Sequence, residues 1–173
     1  MVGSVATILD GANTGGDRSI SMAWRTRTTA EAAPGKLISD VVDLTGMVNS
    51  APHETDPFVL EMSFNPSLLM NPGQYSALAA QGSIYLAYLN GGGIWANAVD
   101  GNIGGSSFFA GVGAYNSGTD FNLGYWGVDT STNTAWAVVN HNGQFAVVPE
   151  PATLVLAAIG LLGLLAYGWR KRK

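Results

Sequence analysis

Three features of the 173-residue chain predict a mainly β fold. Apolar residues recur with a period of two, clusters of Gly, Asn, Asp and Pro separate the recurring segments, and only one segment carries the punctuation of a helix. The expected architecture is an antiparallel β-sandwich over residues 1–146 with one short helix. Residues 147–173 form a separate tail containing a C-terminal transmembrane helix.

The strands follow in order. In "SISMAWRTRT", Ile20, Met22 and Trp24 alternate with Ser21, Ala23 and Arg25, and "KLISDVVDLTG" comes next. In "PFVLEMSF", Phe58, Leu60, Met62 and Phe64 share one face, with Val59, Glu61 and Ser63 on the other, the alternation of a half-buried strand. The segments "SIYLAYLN", "IWANAV", "SFFAGVGAY", "FNLGYWGV", "TAWAVVN" and "QFAVV" complete the set. Two links read as hairpins: the polar turn in "GVDTSTNTAW", and Asn142-Gly143 in "VVNHNGQFAVV", a pair that accepts positive φ. The helix is predicted in "NPGQYSALAAQG", with Asn71 as N-cap, Pro72 at the first position and Gly82 as a left-handed stop. It should lay Tyr75, Leu78 and Ala79 on the sheet.

Composition excludes several functions. Residues 1–149 carry eleven acids against four bases, and no Lys or Arg occurs between Lys36 and Arg170, so no basic face exists for nucleic acid. Cysteine is absent, which removes disulfides, thiolate metal sites and a Cys nucleophile. Enzyme chemistry needs converging titratable groups, and these are sparse. His53 lies beside Glu54 and Asp56 in a Pro-flanked stretch read as a solvated loop, and His141 precedes a turn. Asp10, Asn13 and Asp17 in "DGANTGGD" could wrap calcium through oxygens but lack the bidentate Glu and the spacing of an EF-hand, so two adjoining turns are preferred. No G-x-S-x-G elbow is present, and the glycines of "NGGGIWANAVDGNIGGS" precede no Lys, so they read as tight reversals. No cofactor, metal or catalytic residue is expected. Of Tyr85, Tyr88, Trp95, Tyr115, Tyr125, Trp126 and Trp136, most are expected in the core, although exposed members could stack on sugars.

The tail has three parts. Pro149-Glu150-Pro151 comes first, and its prolines keep the chain extended and stop a helix from propagating upstream. Ala152 to Trp169 is an uncharged run of eighteen residues that spans about 27 Å as a helix, apolar on every face. Arg170, Lys171, Arg172 and Lys173 then stop the span, place the C-terminus in the cytoplasm and can meet anionic inner-membrane lipid.

In this order the three parts resemble the PEP-CTERM sorting signal of bacteria with an outer membrane. The resemblance implies a single-pass inner-membrane precursor whose Pro149, Glu150 and Pro151 are recognised by exosortase. The product would pass to the cell surface or the extracellular polysaccharide matrix, with polysaccharide a further partner. The motif is pictured as an accessible extended peptide just above the membrane, with Glu150 as its polar handle. Family members normally begin with a signal peptide, and "MVGSVATILDGANTGGD" does not read as one, so the chain is expected to be the C-terminal part of a longer protein. The body is similar to cohesin-like β-sandwich domains of bacterial surface proteins at "FVLEMSFNPSLL". The expected role of the body is structural or binding, not enzymatic. The alternative is a secreted glycan-binding or glycan-cleaving module, with hydrolytic carboxylates drawn from Asp40, Asp43, Glu54, Glu61, Asp100, Asp120 and Asp129.

Overall fold

The structure, a computed structural model, describes residues 2–12, 19–47 and 56–150. Among the described residues, ten strands form two five-stranded sheets. The first sheet has the order β1(Ala6–Gly11), β4(Phe58–Ser63), β9(Thr134–Val139), β8(Tyr125–Asp129), β7(Phe108–Val112). The second runs β2(Ser21–Arg25), β3(Val41–Thr45), β10(Gly143–Pro149), β5(Ile84–Leu89), β6(Trp95–Asn97). Between them lies one core, to which β4 gives Phe58, Leu60 and Met62, β3 gives Val42 and Leu44, β5 gives Ile84 and Leu86, and β10 gives Phe145 and Val147. These are alternate residues in each strand, so the period of two seen in the sequence is the period of burial. At roughly 25 cal/mol per Å² of apolar surface removed from water, such a core is the main stabilising term.

The antiparallel expectation fails at one edge, where β7 pairs parallel with β8. The chain between them, with Tyr115 and Phe121, folds over the outer face of the first sheet and packs with Val59, Trp136 and Val138. This covering explains why Val59, read as solvent-facing, is fully buried, while Glu61 and Ser63 on the same face stay partly exposed. The Trp136 indole donates to the Gly113 carbonyl at 3.1 Å, and a Cβ at Gly127 would sit 2.6 Å from its ring, so only glycine fits beneath it.

The β8–β9 link is the expected hairpin, with Asp129 opposite Thr134. The Asp129 carboxylate accepts from the Ser131 N–H at 2.8 Å and hydroxyl at 2.7 Å, and these bonds hold its pKa below the usual range. The second expected hairpin is not one. β9 and β10 lie in different sheets, and Asn140-His141-Asn142 carries the chain from one to the other. Polar anchors fix this corner: Asn140 exchanges hydrogen bonds of 3.0 Å with the Ile103 backbone, and His141 is buried with Nε2 2.8 Å from the Ala98 carbonyl. Phe145 stacks on the His141 ring at 5.4 Å. His141 is therefore a core residue and not a tolerated turn residue.

The helix forms, with a 3-10 turn at Pro72–Gln74 leading into α1(Tyr75–Ala80), and Ala79 is buried while Tyr75 and Leu78 pack against the core. Asn71 makes no side-chain cap bond, a correction that follows from the 3-10 start, whose first N–H partner is the Asn71 carbonyl itself. Gly82 ends the helix as expected, at φ +69°, and a Cβ there would meet Trp126 at 2.8 Å. Strand β1 was not expected. Ala6 and Ile8 pack inward, but Leu9 faces solvent and Asp10 follows it, so the apolar alternation is too short to mark a strand. Similarly, of Ile20, Met22 and Trp24 only Met22 packs on the core, because β2 is an edge strand. The buried Asp40 ties down the start of the chain, its Oδ2 accepting from the N–H groups of Val2, Gly3 and Ser4.

Among the described residues, no helix is long and apolar enough to cross a membrane. The expected span at 152–169 lies outside the described residues.

One ion pair closes the free end of the second sheet. Arg25 binds Glu31 through two bonds of 2.7 and 2.8 Å and reaches Gln144 of β10 at 3.0 Å, while the Thr28 N–H donates to Glu31 at 2.8 Å. The guanidinium holds the Glu31 carboxyl down at about 2. Unfolded, this carboxyl protonates near 4.5, so below that pH the unfolded state binds more protons and acid favours it. Its contribution is complete above about pH 5 and lost as pH falls towards 2. Glu31→Gln should lower stability by about 1–2 kcal/mol at pH 7, with the pair's partial exposure discounted. In thermal melts the difference from wild type should shrink to nothing near pH 2; a constant difference would mean the loss is one of packing.

Candidate functional site

The last described residues, Pro149 and Glu150, are the part of the sequence-predicted motif that the structure positions. Strand β10 is central in its sheet. On one side it pairs with β3 from Gly143 to Phe145, and beyond that Val147 accepts from the Ile38 N–H at 2.9 Å and donates to Ser39 Oγ at 2.7 Å. On the other side it pairs with β5 along its length, Phe145 opposite Tyr88 through to Pro149 opposite Ile84. The Glu150 N–H then donates to the Ser83 carbonyl at 2.6 Å, one step beyond the end of β10.

This ladder explains how a proline can end the strand. Backbone groups alternate in direction, so Val148 and Glu150 face β5 while Val147 and Pro149 face the β3 side. The Pro149 nitrogen points to the side on which the β3 pairing has already ended, and its missing N–H costs no ladder bond. Pro149 is buried and Glu150 is exposed. At Pro149 the extended conformation expected of the motif is present, but there it is built into the sheet. The picture of a fully accessible peptide is corrected to one in which exposure begins at Glu150.

Around Glu150 the surface is polar. Its carboxylate accepts from Ser83 Oγ at 3.3 Å, a long bond, and faces a hollow of about 310 Å³ shared with Tyr85, Asn97, Asp100, Ser107 and Trp126. Burial pushes the Tyr85 phenol up, with the charges of Glu150 and Asp100 adding to the shift. On the opposite flank a larger apolar groove of about 520 Å³ has Tyr85, Trp95, Leu37, Val148 and Pro149 in its walls. Glu150 thus borders the polar hollow and Pro149 the apolar groove, with Tyr85 common to both.

The remaining candidates are dispersed. Asp10 accepts from the Tyr115 hydroxyl at 2.9 Å and the Gly11 N–H at 2.8 Å, and burial together with that bond pushes the Tyr115 phenol up. Asn13 and Asp17, the other members of the calcium loop, lie outside the described residues, as do His53, Glu54, Pro151 and the four bases Arg170, Lys171, Arg172 and Lys173. Among the described residues, no group of three or more His, Asp or Glu is placed to hold a metal. Several carboxylates hold the fold: Asp40, Asp129 and Glu31 as above, Asp120 with the Asn116 N–H, and Glu61 with the Thr134 hydroxyl. Asp100 is the one sequence-named carboxylate that lines the hollow beside Glu150. Ser83 was missed, because only the pairing of β5 with β10 reveals that it meets the motif.

Because Glu150 is exposed and its backbone bond to Ser83 survives the change, Glu150→Gln should leave the thermal midpoint of the full chain almost unmoved, within about 0.5 kcal/mol of stability. A larger loss would show that the carboxylate itself holds the strand end.

No curated protein matches the chain. No solved structure matches it either, so the likeness of the body to cohesin-like domains finds no support there. Residues 147–173 match the PEP-CTERM protein-sorting motif, and the chain therefore carries, from the last three residues of β10 onward, a signal for sorting directed to exosortase.

Proposed function

We propose that this chain is an exported protein whose tail holds it in the inner membrane, with the C-terminus in the cytoplasm, until exosortase recognises and cleaves it near Pro149-Glu150-Pro151. The released domain then resides at the cell surface or in the extracellular matrix. The observation that carries this reading is the match at 147–173, in which the triplet, the eighteen-residue uncharged run and the four terminal bases follow in order. The run is long enough for a helix to span hydrocarbon, and the bases set orientation and meet anionic lipid.

The domain itself is read as structural or binding, not as an enzyme. That reading is supported by the engagement of Glu31, Asp40, Asp120 and Asp129 in bonds that hold turns and strand ends. A second reading, a glycan-binding module, is favoured by the groove with Tyr85 and Trp95 in its walls, since sugar rings stack on exposed aromatic faces. Retention of the purified domain on the producer's own polysaccharide, lost in Trp95→Ala, would support it.

The sorting reading is tested with the chain behind an added signal peptide in a host that has exosortase. Wild type should be shortened by about 23 residues or more, the length of the chain after Glu150. Glu150→Gln should cut the rate by roughly one to three orders of magnitude, as expected when a site built for a charge loses about 2–5 kcal/mol of recognition. Equal shortening of both, or none of wild type, leaves only a membrane anchor.

A further inference from the structure

We infer that the folded domain withholds the first half of the sorting motif from its processing enzyme, so that the rate of processing is set by the opening of the end of β10. This rests on the sorting reading above and adds a gate to it. Three observations carry it. Pro149 is buried, opposite Ile84, at the end of a central strand. The edge of the peptide that an enzyme would pair with is already used on the β5 side, where the Glu150 N–H donates to the Ser83 carbonyl at 2.6 Å and the Ser83 hydroxyl donates to the Glu150 carboxylate at 3.3 Å. Finally, only Pro151 separates Glu150 from the uncharged run that begins at Ala152.

A residue of extended chain spans at most about 3.6 Å, so the single residue between the fold and the apolar run supplies far less than the several residues an extended-peptide site engages. Slack must come from the domain side, by peeling the end of β10 from Val148 onward off Tyr85, Ile84 and Ser83. Beyond Val147, β10 is held on the β5 side, and strand ends of this kind open locally without global unfolding. Ser83 is then a positioning residue for the processing reaction: it sets how often Glu150 is presented, though it takes no part in bond cleavage.

The test uses pulse-chase of the full chain, with an added signal peptide, in a host with exosortase. One variant carries a Gly-Ser-Gly-Ser spacer between Val148 and Pro149, which moves the intact triplet out of the sheet. A second pairs Val148→Cys with Tyr85→Cys; these residues are register partners, antiparallel partners lie about 4.5–5.5 Å apart at Cα, and the chain has no other cysteine. The spacer should speed shortening about tenfold, the gain expected from removing a strand-end opening step. The disulfide should slow it at least about tenfold, with the reduced form of the same variant recovering the speed, which separates locking from any direct effect of the substitutions. Shortening at one rate in wild type, spacer and locked forms overturns the gate while leaving the sorting reading intact. No shortening of any form overturns both.

Discussion

Strand β10 is bonded on both sides through Val147 and on the β5 side alone from Val148 to Glu150, and the site depends on that asymmetry. Its alternate residues Phe145 and Val147 enter the core between the sheets, while Ala146 and Val148 pack on the outer face with Leu37, Val41 and Ala87. A strand buried on both faces and central in its sheet cannot be surrendered without the domain, but its last two residues can. The sorting motif starts where that transition falls.

The strand is placed by polar anchors at its other end as well. The Asn140-His141-Asn142 corner delivers the chain from the first sheet to the second, and its hydrogen bonds to Ile103 and Ala98 fix where β10 begins. Arg25, held by Glu31, reaches Gln144 near the start of the strand. With its start fixed and its register set by the core residues, a one-residue slip would turn Phe145 and Val147 out of the core and is excluded by burial. The position of Pro149 opposite Ile84 is therefore a consequence of packing some distance away.

Much of this was legible in the sequence. The strands of period two, the β8–β9 hairpin, Gly82 as helix stop and the Pro-Glu-Pro tail follow from local chemistry, and "QFAVV" was readable as a strand. Its continuity with the motif was not, because a boundary at 146/147 follows the change in composition while the hydrogen-bond ladder runs on to Glu150. The errors have one origin. Ser83 and His141 acquire their roles from partners 67 and 43 residues away, and the parallel β7–β8 pair and the coverage of Val59 come from a loop folding over a sheet. A single sequence carries periodicity and turn chemistry but not the pairing of distant strands. Strand β1, whose inward Ala6 and Ile8 are followed by an exposed Leu9 and then Asp10, carried too short a periodicity to be read.

The sorting motif begins inside the fold. Amide hydrogen exchange at Glu150 in the full chain tests it most directly, since that N–H is bonded to the Ser83 carbonyl only if the ladder continues past Pro149. Protection clearly above that of an unstructured peptide, lower than at Val147 within the strand, is the predicted result. Exchange of the Glu150 amide at the unstructured-peptide rate, with Val147 still protected, would contradict it.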